Sequence, residues 1–110
     1  MARRVARGQI WLYQFKTPDK RRPVVVLSRS DVIALLGTVM VAPITSVMRG
    51  APSEVLIGVD EGLKHPSAIN LDHVQTVEQA RLTSYVGEVS SQKMREVCRA
   101  LATAVACDRP

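Results

Sequence analysis

Apolar and polar residues alternate over residues 8–16 (GQIWLYQFK), which predicts a half-buried strand. Ile10, Leu12 and Gln14 would lie on one face of it, and Trp11, Tyr13 and Phe15 on the other. Thr17-Pro18-Asp19-Lys20 reads as a turn, because Pro and Asp supply turn geometry. The pattern then changes to the unbroken apolar run Val24-Val25-Val26-Leu27, which predicts a strand buried on both faces. Pro23 offers no N–H, so it belongs at that strand's start or on an edge. Ser30-Asp31 predicts the cap of a short helix through Leu36, stopped by Gly37. Residues 38–46 form another apolar strand, whose Pro43 implies an edge or a bulge. A basic loop at 47–53, a short strand at 54–58, a loop at 60–66 and a strand at 67–71 follow. Residues 77–82 predict one helical turn, and 83–89 a last strand. Ser90 then caps a closing helix over 90–106, with Met94, Val97, Cys98, Leu101 and Val105 at helical spacing on one face. Many short strands and one amphipathic helix predict a mainly β fold with a C-terminal α-helix, built as a small, strongly bent sheet or open barrel.

A chain of 110 residues holds one such domain, 1–110, with a single core and a basic, flexible stretch at 1–6. No apolar run approaches the roughly 20 residues needed to cross a bilayer, and no apolar segment after the basic start suggests a signal peptide. Cys98 and Cys107 have no metal-ligand spacing, so a reducing cytoplasm is the expected setting. The formal charge is +5, and residues 1–22 hold Arg3, Arg4, Arg7, Lys16, Lys20, Arg21 and Arg22 against Asp19 alone. Such a cluster favours a polyanion, either nucleic acid or an acidic protein, although a merely solvated basic surface fits the charge too.

The sequence lacks G-x-S-x-G, H-E-x-x-H, C-x-x-C and any glycine-rich phosphate loop. His65 and His73 are too few and too far apart to argue for zinc, so no metal and no cofactor are expected. Chemistry that needs no cofactor remains. RNA can be cut by attack of its own 2′-hydroxyl, provided that a base, a charge stabiliser and an acid are supplied. If the 24–27 and 38–46 strands pair, Arg22 and Thr45 could meet at one sheet edge. A guanidinium there binds phosphate oxygens bidentately, and a threonine hydroxyl donates to the same group. Neither is a good base, so Asp72, His73 or a perturbed arginine would have to contribute. A structural reading stands beside this one: Arg22 as a solvated residue before proline, and Thr45 as a partner for a strand-end carbonyl.

Several segments resemble the MazF/PemK family of toxin endoribonucleases (mRNA interferases) from type II toxin–antitoxin systems. Arg7-Gly8-Gln9-Ile10-Trp11 looks like the family's R-G-[ED]-[IV]-[WY] opening. Arg22-Pro23-Val24-Val25-Val26 looks like its R-P-V strand, and Ala42-Pro43-Ile44-Thr45-Ser46 like its V-P-[LIV]-T-S segment. Gly62-Leu63, Pro66-Ser67-Ala68 and Leu71-Asp72-His73-Val74-Gln75-Thr76-Val77 continue the pattern, which Arg81-Leu82 and Gly87-Glu88-Val89-Ser90 complete. The resemblance runs from about Arg7 to Ala106. It implies a small SH3-like, partly open β-barrel that forms a homodimer. It further implies metal-independent, sequence-selective cleavage of single-stranded mRNA, inhibiting translation and growth. An antitoxin with an acidic, partly disordered tail would be the protein partner.

By the same resemblance Arg22 and Thr45 are catalytic. Asp72, His73 and Asp19 are auxiliary candidates, and Lys20, Arg21, Ser46, Arg49 and Asn70 are candidates for RNA binding. Three departures from the family pattern stand out. The 17–20 loop is short and carries no Glu or Ser, which leaves Asp19 as a substitute. Asn70 replaces an arginine that accompanies the position of Asp72 in some members, and His73 stands where Gln is commoner. Two other classes remain open. One is a CcdB-like inhibitor of gyrase, although Ala106-Cys107-Asp108-Arg109-Pro110 lacks that branch's Trp-Gly-Ile ending. The other is an RNA-binding barrel without catalysis.

Overall fold

The computed structural model describes residues 4–15 and 21–109. Asp19, Lys20 and the turn expected at 17–20 lie outside the described residues. The strands are β1 (Gln9–Gln14), β2 (Arg21–Val26), β3 (Thr38–Thr45), β4 (Glu54–Ile57), β5 (Ser67–Asn70), β6 (Gln75–Glu78) and β7 (Leu82–Glu88). Two helices, α1 (Ser30–Leu36) and α2 (Ser91–Ala104), join them. The antiparallel sheet runs β4-β5-β3-β2-β1-β7, with β6 on the first half of β3. Its two end strands, β4 and β7, do not pair with each other. The expected mainly β, partly open barrel with a C-terminal helix is therefore what forms.

The β2 run is buried on both faces, as its lack of alternation requires. Val25 and Leu27 join the cluster that packs under α2 through Val97 and Ala100. Val24 and Val26 face the other way, onto Trp11, Tyr13, Ile33 and Val77. Complete burial of a valine contributes about 1.5–3 kcal/mol, so this strand anchors both clusters and fixes its own register. The β1 faces sort likewise, with Ile10 in the first cluster and Trp11 and Tyr13 in the second.

Four local expectations need correction. Pro43 marks neither an edge nor a bulge, because β3 is paired on both sides. On one side it pairs β2; on the other it changes partner from β6 (through Val41) to β5 (from Ile44), and Pro43 falls in the gap. That gap suits a residue with no N–H to give a ladder. The helical turn expected at 77–82 is instead the end of β6, a short 3-10 turn at Gln79–Arg81, and the start of β7. Val77, level with Val39, is the one buried residue of β6, and a single buried position cannot display a strand period. For α1, Arg29 occupies the cap position, and the Ser30 hydroxyl accepts the Arg7 backbone N–H instead (3.0 Å). Gly37, in a left-handed conformation, ends that helix as expected.

In α2 the buried stripe is Val97 and Ala100, flanked by Met94, Leu101 and Ala104. Cys98 is exposed, and Val105 lies past the last helical residue. The Ser90 hydroxyl does accept the Lys93 backbone N–H, at 3.1 Å. Ser90→Ala should accordingly cost about 1 kcal/mol and lower the Tm by a few degrees in a thermal melt.

Candidate functional site

The site grows from the β2–β3 register. Val24 stands opposite Pro43, so two further residues along each strand bring Arg22 level with Thr45. Both side chains line two adjoining clefts. One, of about 240 Å³, is floored by Pro43 and Ile44 and walled by Arg22, Thr45, Arg49, Glu54, Asn70 and His73. The other, of about 330 Å³, adds Ser46 and Ser67 to Arg22 and Thr45. Arg22 is exposed and free to reach into this space. Arg21 alternates away from it and sends its Nε to Gln14 (3.4 Å), so these neighbours are not equivalent.

Thr45 Oγ1 accepts the Val47 N–H at 3.1 Å, which leaves its hydroxyl hydrogen available to a ligand. The β3–β4 loop then folds back over the cleft. Glu54 Oε1 accepts both the Arg49 and the Gly50 backbone N–H, each at 3.0 Å, and this clasp sets where the Arg49 side chain starts. Glu54 was not among the sequence candidates. Its clue was faint: one carboxylate just after a basic loop, brought to the site only by the loop's return.

The far wall is a 3-10 turn, Leu71–His73, capped by Asn70. Residues three apart stack in such a turn, so Asn70 meets His73, with Nδ2 to Nδ1 at 3.3 Å. Asp72 points elsewhere. Its Oδ2 accepts the Ser53 hydroxyl at 2.6 Å, and its backbone N–H donates to Asn70 Oδ1 at 2.9 Å. It lines neither Arg22 cleft. Of the sequence candidates, Arg22, Thr45, Arg49, Asn70 and His73 thus share one cleft, Ser46 borders its neighbour, and Asp72 braces the wall from behind. Asp19 and Lys20 lie outside the described residues.

Two guanidiniums against one carboxylate make this cleft attractive to an anion. A separate cleft, about 740 Å³ at the start of α2, is lined by Asp60, Glu61, Glu88 and Glu96 with one lysine. That surface repels phosphate. Trp11 and Tyr13 are buried in the second cluster and offer no stacking platform for bases. Among the described residues no group of three or more His, Cys, Asp or Glu is arranged to hold a metal ion.

Comparison with known proteins shows which chains this one is similar to. Residues 6–105 match the family model described as "PemK-like, MazF-like toxin of type II toxin-antitoxin system". The chain is 42% identical over 106 residues to a Mycobacterium tuberculosis protein named "Probable endoribonuclease MazF5", covering 94% of this chain and 95% of that one. Its fold superposes on the M. tuberculosis toxin MazF-mt6 with a TM-score of 0.83 and 33% identity, over 89% of this chain and 96% of that one. A mycobacterial endoribonuclease solved in complex with its cognate antitoxin gives 0.85 at 25% identity, over 97% and 100%.

Proposed function

The chain belongs to the PemK-like, MazF-like toxin family of type II toxin–antitoxin systems, and we propose that it is an endoribonuclease cutting single-stranded RNA without a metal ion. The meeting of Arg22 and Thr45 on one cleft carries this reading. The endoribonuclease activity named for its relatives supports it, and a CcdB-like gyrase inhibitor is not favoured. In the proposed reaction the 2′-oxygen attacks phosphorus, the bond from phosphorus to O5′ breaks, and the products are a 2′,3′-cyclic phosphate and a 5′-hydroxyl. Charge accumulates on the non-bridging oxygens during attack. Arg22 neutralises it through paired N–H donors, and Thr45 adds its hydroxyl. Arg49 holds a flanking phosphate, a contact that positions the strand without reading its sequence. The carboxylate on the cleft is Glu54 rather than Asp72; it takes the 2′-hydroxyl proton, and water protonates the departing O5′.

An antitoxin with an acidic tail would compete for the same two arginines, which makes one cleft both substrate site and inhibitor site. We also assign the toxin to the cytoplasm as a single-domain homodimer. Among the described residues no helix is long and apolar enough to cross a membrane.

The test is incubation of the purified protein with a long RNA in EDTA, the cut sites being mapped by primer extension. Defined cuts are expected, and Thr45→Ala should slow them by about a hundred- to a thousandfold, the range for losing one donor to a developing charge. Intact RNA, or cutting that needs a divalent ion, would overturn the proposal.

A further inference from the structure

The far wall of the cleft contains a hydrogen-bond relay with only one consistent arrangement of protons. It starts at the backbone of Asp72, whose N–H can only donate and is received by Asn70 Oδ1 at 2.9 Å. That contact fixes the Asn70 amide, because its oxygen is the end facing Asp72. The other end, Nδ2, is therefore the atom that meets His73 Nδ1 at 3.3 Å. An amide nitrogen donates and does not accept, so Nδ1 must receive, and the ring proton resides on Nε2. Asp72 is in turn held by Ser53 at 2.6 Å, which ties the relay to the start of β4.

His73 lines the same cleft as Arg22 and Thr45. Among the described residues its Nε2 has no partner, so its hydrogen is available to a ligand in the cleft. Resting on the endoribonuclease reading above, we infer that Asn70 holds His73 as its Nε2–H tautomer and that this N–H donates to a phosphate oxygen of the RNA. His73 then works as a neutral donor beside Arg22, with no proton transfer of its own. Asn70 is a positioning residue, acting through the imidazole. The other charged groups on the cleft are Arg22, Arg49 and Glu54.

Two measurements on the purified toxin test this. In nitrogen-15 correlation spectra at about pH 8, where a histidine is ordinarily neutral, His73 should show a protonated Nε2 and a bare Nδ1. His65 serves as a reference, and loss of the signal in His73→Gln gives the assignment. Asn70→Asp places only acceptors against Nδ1 and should move the proton there. In the EDTA cleavage assay, the Gln side chain presents an N–H near the site of Nε2. His73→Gln should therefore cut within about threefold of wild type, whereas His73→Ala loses about a hundredfold or more. An Nδ1–H tautomer in the wild type overturns the inference, as do Gln and Ala variants that cut at equal rates. Failure of the wild type to cut RNA at all overturns the nuclease reading itself, a separate result from either of these.

Discussion

Arg22→Ala should lower the rate of RNA cleavage about a thousandfold while leaving the thermal melt within a degree or so of wild type. The activity side of this expectation follows from where charge appears. Attack on phosphorus concentrates negative charge on oxygens facing the cleft, and single preorganised donors or cations at such positions contribute 10²–10³ or more. A thousandfold is about 4 kcal/mol at the transition state. The stability side follows from exposure: Arg22 sits at the exposed start of β2, before the β2–β3 register begins, and its side chain belongs to neither apolar cluster. Arg22→Lys retains charge but loses the paired fork, so it should recover only part of the rate. Single-turnover rates on an RNA carrying one mapped cut site, set beside melts of the same preparations, separate the two effects. Retention of a tenth or more of the wild-type rate by Arg22→Ala would remove Arg22 from the chemistry.

How legible this was depended on the range over which each signal acts. The Val24–Leu27 run displayed its burial directly, because a strand between two clusters needs apolar residues at every position. The Ser90 cap was equally local. The meeting of Arg22 and Thr45 required strand pairing, which two apolar runs about twenty residues apart suggested and the family resemblance supported. What stayed hidden was set by tertiary geometry. Arg21 and Arg22 look alike in sequence, and only strand alternation turns one away. Asp72 adjoins His73 in sequence, but one step along a 3-10 turn is about 120°, which sends its carboxylate to Ser53. Glu54 reached the cleft through a loop closed by its own hydrogen bonds, a contact that no spacing rule anticipates.

Gly87→Ala should destabilise the fold by about 3 kcal/mol or more. Gly87 lies in β7 beside an irregularity in its pairing with β1, where Ile10 meets Gly87 but Trp11 meets Tyr85. At that point the turn Val59–Glu61 packs backbone against backbone onto β7. A Cβ on Gly87 would overlap the Glu61 carbonyl oxygen, and would stand 2.9 Å from the Glu61 carbonyl carbon. The turn cannot easily retreat. Glu61 accepts the Gly58 N–H at 2.6 Å, and the Gly62 N–H donates to the Val59 carbonyl at 3.0 Å. No flexible side chain is available to move instead, so the strand or the turn must shift as a whole. Gly50→Ala is the matched control, since Gly50 has a positive φ of 71° and open space around it, and it should cost only about 1 kcal/mol of backbone strain. Against a total of about 5–15 kcal/mol for a domain, the Gly87 variant should melt ten or more degrees lower, and the Gly50 variant a few. Equal melting of the two would show that β7 and the turn do not touch in this way. Arg22→Ala should show the opposite pattern, losing activity at full stability, whereas Gly87→Ala loses activity only at temperatures where the sheet that holds Arg22 opposite Thr45 has begun to open.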